Sequence, residues 1–237
     1  MNRLLISFFL ILSPLVIFSQ NFTRQDSLRG SITPQRAWWD LTYYHLDISV
    51  DPDNRFIKGS NTVQYKVLEA NDEMQIDLQE PLKITKITQD GNELNFRSEG
   101  YSHFIKLKKK QIKDKIKSIK IHYEGNPKIA VNPPWDGGLT WTRDFNGKHF
   151  VANSNQGIGA SIWWPNKDHM YDEVDSMLIS VNVPKDLVNV SNGRLRSIED
   201  FGDTKTYHWF VSNPINNYGV NINIGDYLMF SEVYDGE

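Results

Sequence analysis

The sequence predicts an all-β fold, an antiparallel β-sandwich or saddle-like domain with few and short helices. Three observations lead there. Apolar residues recur at every second position, as in Met74, Ile76 and Leu78, in Ile119, Ile121 and Tyr123, and in Met177, Ile179, Val181 and Val183, the spacing of strands with one buried face. Turn-forming clusters separate such stretches: Asp51-Pro52-Asp53-Asn54, Asp90-Gly91-Asn92, Glu124-Gly125-Asn126-Pro127, Asn146-Gly147, Ser191-Asn192-Gly193 and Asn213-Pro214. Past the first twenty residues, no window of about a dozen sustains the i, i+3, i+4, i+7 apolar face of a capped helix.

Taken in order, Arg3 is followed by an apolar run from Leu4 to Phe18, then by small Ser19 and a polar stretch from Gln20. This is the pattern of a secretory signal peptide over residues 1–19. The run is shorter than the roughly 20 residues a bilayer-spanning helix needs. Export to the periplasm or the medium is therefore expected, with no stable membrane anchor. Residues 20–36 are polar, with Arg24, Asp26, Arg29, Gly30 and Pro34, and read as a flexible lead-in. A single β domain is expected over 37–237, with a strand at Ile222–Phe230. With 39% hydrophobic and 12% aromatic residues, the chain has the means to bury a core.

Composition excludes several functions. Lys plus Arg number 26 against 29 Asp plus Glu, a net charge of -3, so no overall positive field draws in nucleic acid. The Lys-rich run Lys106–Lys117 is set among Ile105, Leu107, Ile112 and Ile116. It reads as a solvated edge strand whose lysines discourage strand pairing, in preference to a nucleic-acid or anionic-membrane surface. The absence of cysteine rules out disulfides, a thiol nucleophile and thiolate zinc ligands. The H-E-x-x-H, G-x-S-x-G and phosphate-loop motifs are missing. His169 and Glu173 stand four apart with no third ligand at a recognisable spacing, which assigns His169 a surface or hydrogen-bonding role. No activity and no bound metal are expected of this chain alone.

The densest stretch, Pro133–Asp175, carries four of the seven tryptophans: Trp135, Trp141, Trp163 and Trp164. They suit either sugar-stacking platforms or buried anchors. At least one ring of the Trp163-Trp164 pair is expected inside, since neighbours on a strand face opposite ways. Gly157-Ile158-Gly159 is expected to allow a tight turn or a close backbone approach.

Several segments, in this order, resemble the N-terminal domain of the aminopeptidase N family of gluzincin zinc metallopeptidases. They are Trp39–Ile48 with Phe56–Ser60 and Val63, then Gln156–Ser161, Trp164–Asp168, and Asn213–Tyr218 leading to Ile224–Tyr227. The resemblance spans about residues 36–230. It implies an accessory β domain packed on a thermolysin-like catalytic domain, with zinc held by that catalytic domain. Counting back from Pro165 and Asp168, it assigns Gln156 to hold the free α-amino group of a peptide substrate. The amide oxygen can accept from an ammonium; the plainer role for Gln156 is to satisfy backbone groups in a turn. The catalytic domain's motifs do not occur in this chain, so the resemblance implies a truncated member or a stand-alone N-terminal domain. The competing function is a secreted carbohydrate-binding β-sandwich, which requires solvent-facing indoles aligned on one surface.

Overall fold

The computed structural model describes residues 22–236, and the leader expected at residues 1–19 lies outside the described residues. Two short helices, α1 (Arg24–Gly30) and α2 (Pro34–Ala37), precede strands β1 (Trp39–Asp51), β2 (Phe56–Val67), β3 (Glu73–Asp77), β4 (Lys83–Gln89), β5 (Asn92–Glu93), β6 (Asn95–Glu99), β7 (Ser102–Lys106) and β8 (Ile116–Gly125). The second half comprises β9 (Gly138–Arg143), β10 (His149–Ser154), β11 (Ser176–Pro184), β12 (Val188–Ser191), β13 (Arg194–Asp200), β14 (Thr204–Val211) and β15 (Ile222–Gly225). Three sheets result. The eight-stranded sheet runs β13-β14-β11-β1-β2-β8-β4-β5, the four-stranded one β12-β15-β10-β9, and the three-stranded one β3-β7-β6. The expected all-β architecture is the observed one, and among the named strands one pair departs from antiparallel order: β1 and β11 pair in parallel, Tyr43 opposite Ser176.

The β1–β2 hairpin organises the main sheet. The expected turn at Asp51–Asn54 lies between its strands, which pair from Trp39 opposite Val67 to Asp51 opposite Phe56. A bulge at Thr42 shifts the register between Leu41 and Tyr43. Because one inserted residue reverses which parity faces inward, the buried set changes from Trp39 and Leu41 to Tyr44, Leu46, Ile48 and Val50. Gly59 is required here, since a side chain would run into the Asp47 backbone carbonyl of the partner strand. The period-two residues of β8 (Ile119, Ile121, Tyr123) and β11 (Met177, Ile179, Val181, Val183) are all buried in one continuous core. Full burial of an Ile or Val side chain removes it from water at a gain of about 1.5–3 kcal/mol.

Three expectations need correction. Residues 24–30 are not a flexible lead-in: Thr23 and Asp26 form a reciprocal capping box on α1, and Leu28 is buried. Of the polar residues that suggested flexibility, Arg24 pairs with Glu99 and Arg29 donates to the Gly157 carbonyl; Arg36, at the end of the same stretch, is buried and ion-paired with Asp77. The Lys-rich run is not an edge strand. Only Lys106 and the Ile116–Lys117 end lie in strands, and residues 107–115 form the loop joining β7 to β8; backbone N–H groups of this loop bond to the carbonyls of Asp72, Asn71 and Val67 instead of running along a sheet edge, and Asp114 turns with a positive φ of 62°. The last strand stops at Gly225 instead of running to Phe230, and it lies inside the four-stranded sheet between β12 and β10. Beyond it Leu228, Met229, Phe230, Val233 and Tyr234 are exposed.

Candidate functional site

Gln156 follows β10 in a turn whose shape depends on glycine. Gly157 and Gly159 have φ of 73° and 83°, conformations costly for other residues. A side chain at Gly159 would also strike the Asp168 carboxylate. The turn closes on itself, with the Gly159 N–H donating to the Asn155 carbonyl (3.0 Å). Asp168 accepts from the Ser161 and Ala160 N–H groups at 3.1 and 3.4 Å.

A second turn is stitched to the first. Asn155, buried, donates through Nδ2 to the Tyr218 carbonyl at 2.8 Å. The Tyr218 hydroxyl in turn donates to Gln156 Oε1 at 2.5 Å. Asn217, also buried, donates to the Lys167 carbonyl (2.7 Å) and to Asn166 Oδ1 (3.2 Å). From the other side, Arg29 of α1 donates to the Gly157 carbonyl at 3.1 Å. Between these walls opens a cleft of about 660 Å³ lined by Asp26, Arg29, Gly157, Asp168, His169 and Tyr218, among others. Gln156 is exposed and lies in the chain between two residues of that lining, Asn155 and Gly157.

Beneath the cleft two charged pairs are buried. The Arg36 guanidinium holds Asp77, which also accepts from Gln75 Nε2 (2.9 Å) and Ser102 Oγ (3.0 Å). Burial nevertheless pushes the Asp77 carboxyl above its ordinary range, outweighing Arg36. Lys167 donates to Asp172 and to the Trp39 carbonyl (2.7 Å), with its ammonium 3.8 Å from the centre of the Trp39 ring. Burial lowers Lys167 to about 8, opposed by Asp172. Asn61 of β2 donates to the Pro165 carbonyl at 2.8 Å, and Tyr44 accepts from the Lys167 N–H at 2.9 Å. The segment Trp164–Asp168 is thereby fixed to the main sheet, and the turn bearing Gln156 is fixed to that segment.

Gln156 is on the rim of the cleft, with its amide held by Tyr218, a partner that sequence spacing could not indicate. His169 donates to the Gly30 carbonyl (3.3 Å) and accepts from the Tyr171 N–H (3.2 Å). Among the described residues, no group of three or more His, Asp or Glu side chains is placed to hold a metal ion. Trp163 and Trp164 are both buried, the second edge-on to Tyr44 with ring centres 5.1 Å apart. They follow a 3-10 turn at Ala160–Ile162 instead of lying on a strand, so the alternation that would have turned one outward does not operate. Trp38 and Trp39 are buried as well, Trp141 and Trp209 pack partly buried against the core, and Trp135, 76% exposed, stands alone. Among the described residues no two exposed indoles align into a platform for a sugar, and the carbohydrate-binding alternative is not favoured.

The sequence matches the model of the peptidase M1 N-terminal domain over residues 41–218. The chain belongs to this family. Solved structures similar to this M1 N-terminal domain include an M1 zinc metallopeptidase from Deinococcus radiodurans, at 17% identity and a TM-score of 0.67, covering 81% of this chain and 43% of that one. A variant of the same protein bound to a Tyr-Ser-Ala substrate is similar at 18% identity with the same TM-score and coverage. Native leukotriene A4 hydrolase from Saccharomyces cerevisiae is similar at 21% identity and a TM-score of 0.62, covering 79% of this chain and 29% of that one. The M1 N-terminal domain described here thus spans less than half the length of these structures. No curated protein matches the sequence.

Proposed function

We propose that the chain is the accessory N-terminal β domain of an exported zinc aminopeptidase, packing on a thermolysin-like catalytic domain and presenting Gln156 to the free α-amine of a peptide substrate. The supporting observation is the placement of Gln156: exposed, on the rim of a cleft, on a turn fixed by buried Asn155 and by Tyr218. An amide oxygen has two acceptor positions. The Tyr218 hydroxyl takes one, and the other remains for an ammonium N–H. A side chain held in place before substrate arrives loses little freedom on binding. The exposed apolar residues Leu228, Met229 and Phe230 suit a surface that a neighbouring domain covers. Hydrolysis itself belongs to the zinc-bearing domain; this chain supplies orientation.

The test is made in an enzyme carrying this domain joined to its catalytic domain. Gln156→Ala is expected to weaken transition-state binding of free-amine peptides by about 1–3 kcal/mol, the scale of a hydrogen bond to a charged group. Binding of N-acetylated peptides as competitors should be unchanged, and so should the melting temperature, because the side chain is on the surface. Equal losses for free and acetylated peptides would overturn the amine-recognition role.

A further inference from the structure

We propose that the loop joining β7 to β8 is a docking surface for an anionic phospholipid bilayer. The segment Lys106–Lys117 holds seven lysines and one acid, Asp114, in a chain whose net charge is -3, so its positive charge is local. The loop is not loose. Leu107 is buried and its N–H donates to the Asp72 carbonyl at 2.8 Å; buried Gln111 donates from its backbone to the Asn71 carbonyl at 2.8 Å; the Asp114 N–H donates to the Val67 carbonyl at 2.7 Å. Between these fixed points Lys108, Lys109, Lys110, Ile112 and Lys113 are exposed.

Two features point to a bilayer. First, among the described residues Lys106 pairs with Asp72 (2.8 Å) and Lys117 with Asp90 (3.5 Å), whereas Lys108, Lys109, Lys110, Lys113 and Lys115 have no carboxylate within ion-pair distance. Lysines kept so close together without partners repel one another, and an anionic surface relieves this. Second, Ile112 is 68% exposed and Ile116 61% exposed within that basic cluster. Isoleucine in water among lysines gains nothing from a polyanion in solution. It does gain from the interfacial zone of a membrane, where apolar side chains are buried while lysines reach phosphate. A hollow of about 200 Å³ beside the loop, lined by Lys108, Lys110, Lys115, Lys117, Ile112 and Asp90 among others, is of a size to admit one headgroup phosphate, with Asp90 the carboxylate on its wall. The loop contains no aromatic residue on which a nucleobase could stack. The contact is peripheral, and it does not depend on the reading given above for Gln156.

Because the chain contains no cysteine, Ile116→Cys provides a unique position for a polarity-sensitive dye. The full chain carrying it would be mixed with vesicles of phosphatidylglycerol and phosphatidylcholine, or of phosphatidylcholine alone. Residues 1–19 are the same in every arm, so differences between variants report the loop. A blue shift confined to the anionic vesicles and lost at high salt is expected. The triple replacement Lys108→Gln, Lys109→Gln and Lys110→Gln should lower the loop's partition on the order of a hundredfold, about fivefold per lysine. Ile112→Ser should lower it several-fold at unchanged charge. An equal shift on both vesicle types, no shift on either, or a shift that the triple replacement leaves intact would overturn the proposal. So would charge-dependent binding that Ile112→Ser does not weaken and that soluble heparin matches, since that outcome means a polyanion in solution.

Discussion

The main sheet and the wall of the cleft are held together by opposite means. In the main sheet, beyond the backbone ladders, Ile121 of β8, Leu46 of β1 and Ile179 of β11 all contribute side chains to one apolar core, and apolar contact is non-directional. The wall under Gln156 is built from buried Asn155, Asn166, Asn217 and the pairs Arg36–Asp77 and Lys167–Asp172. A hydrogen bond must be made at a particular angle and distance, so this second region trades tolerance for a fixed geometry. The comparison teaches where position matters: the sheet supplies stability and the polar wall holds the turn that bears Gln156.

The largest expected effect tests the polar side. Lys167→Met leaves the buried Asp172 carboxylate without a counter-charge, held only by the Leu41 N–H (3.2 Å), and a loss of about 3–5 kcal/mol in unfolding free energy is expected, measured by urea denaturation. Adding Asp172→Leu removes the orphaned charge and should recover much of that loss; a double variant no more stable than the single one would mean that the pair is not the source of the cost. On the apolar side, Ile179→Val deletes one methylene from the core, for which about 0.5–1.5 kcal/mol is expected, with the turn of Gln156 undisturbed in its amide chemical shifts. The smallest effect is one of pH. His103 donates through Nε2 to the Leu78 carbonyl (3.1 Å) and accepts at Nδ1 from Ser98 (2.8 Å), and burial holds it below its ordinary value of 6.5. As pH falls below 6.5 the unfolded chain takes up this proton before the folded one does, so stability declines from there downward until the folded ring also titrates. His45 and His122, both lowered chiefly by burial, add to the slope. His103→Gln should make the decline between pH 7 and 5 shallower in thermal melts; an unchanged slope would assign it elsewhere.

Much of the fold was legible because the signals were local. The alternation of Met177–Val183 and the turn Asp51–Asn54 each depend on residues within one short window, and both appear where expected. The tight turn at Gly157–Gly159 was likewise readable from two glycines in one short span. What was missed depends on distant partners. Arg36 in a polar stretch looks solvated until Asp77 arrives beside it, and Gln156 has a defined amide orientation only because the hydroxyl of Tyr218, 62 residues on, donates to it. The bulge at Thr42 was unreadable for a different reason. It inverts the burial parity of β1 midway, so one strand contains two half-patterns, neither long enough to stand out.

The parallel ladder between β1 and β11 has a consequence for how this polypeptide is made. Tyr43 waits for Ser176, so the edge of β1 away from β2 stays unpaired while the intervening strands are synthesised. Hairpins such as β1–β2 can close early, at low cost in chain entropy, whereas this junction must join distant parts of the chain and is slow by nature. Until it closes, a long edge containing Leu46 and Ile48 is open to the wrong partner. The step most exposed to misassembly is therefore the seam between β11 and β1, the third and fourth strands of the largest sheet, and a chaperone that covers β1 during synthesis would protect the fold at its weakest moment.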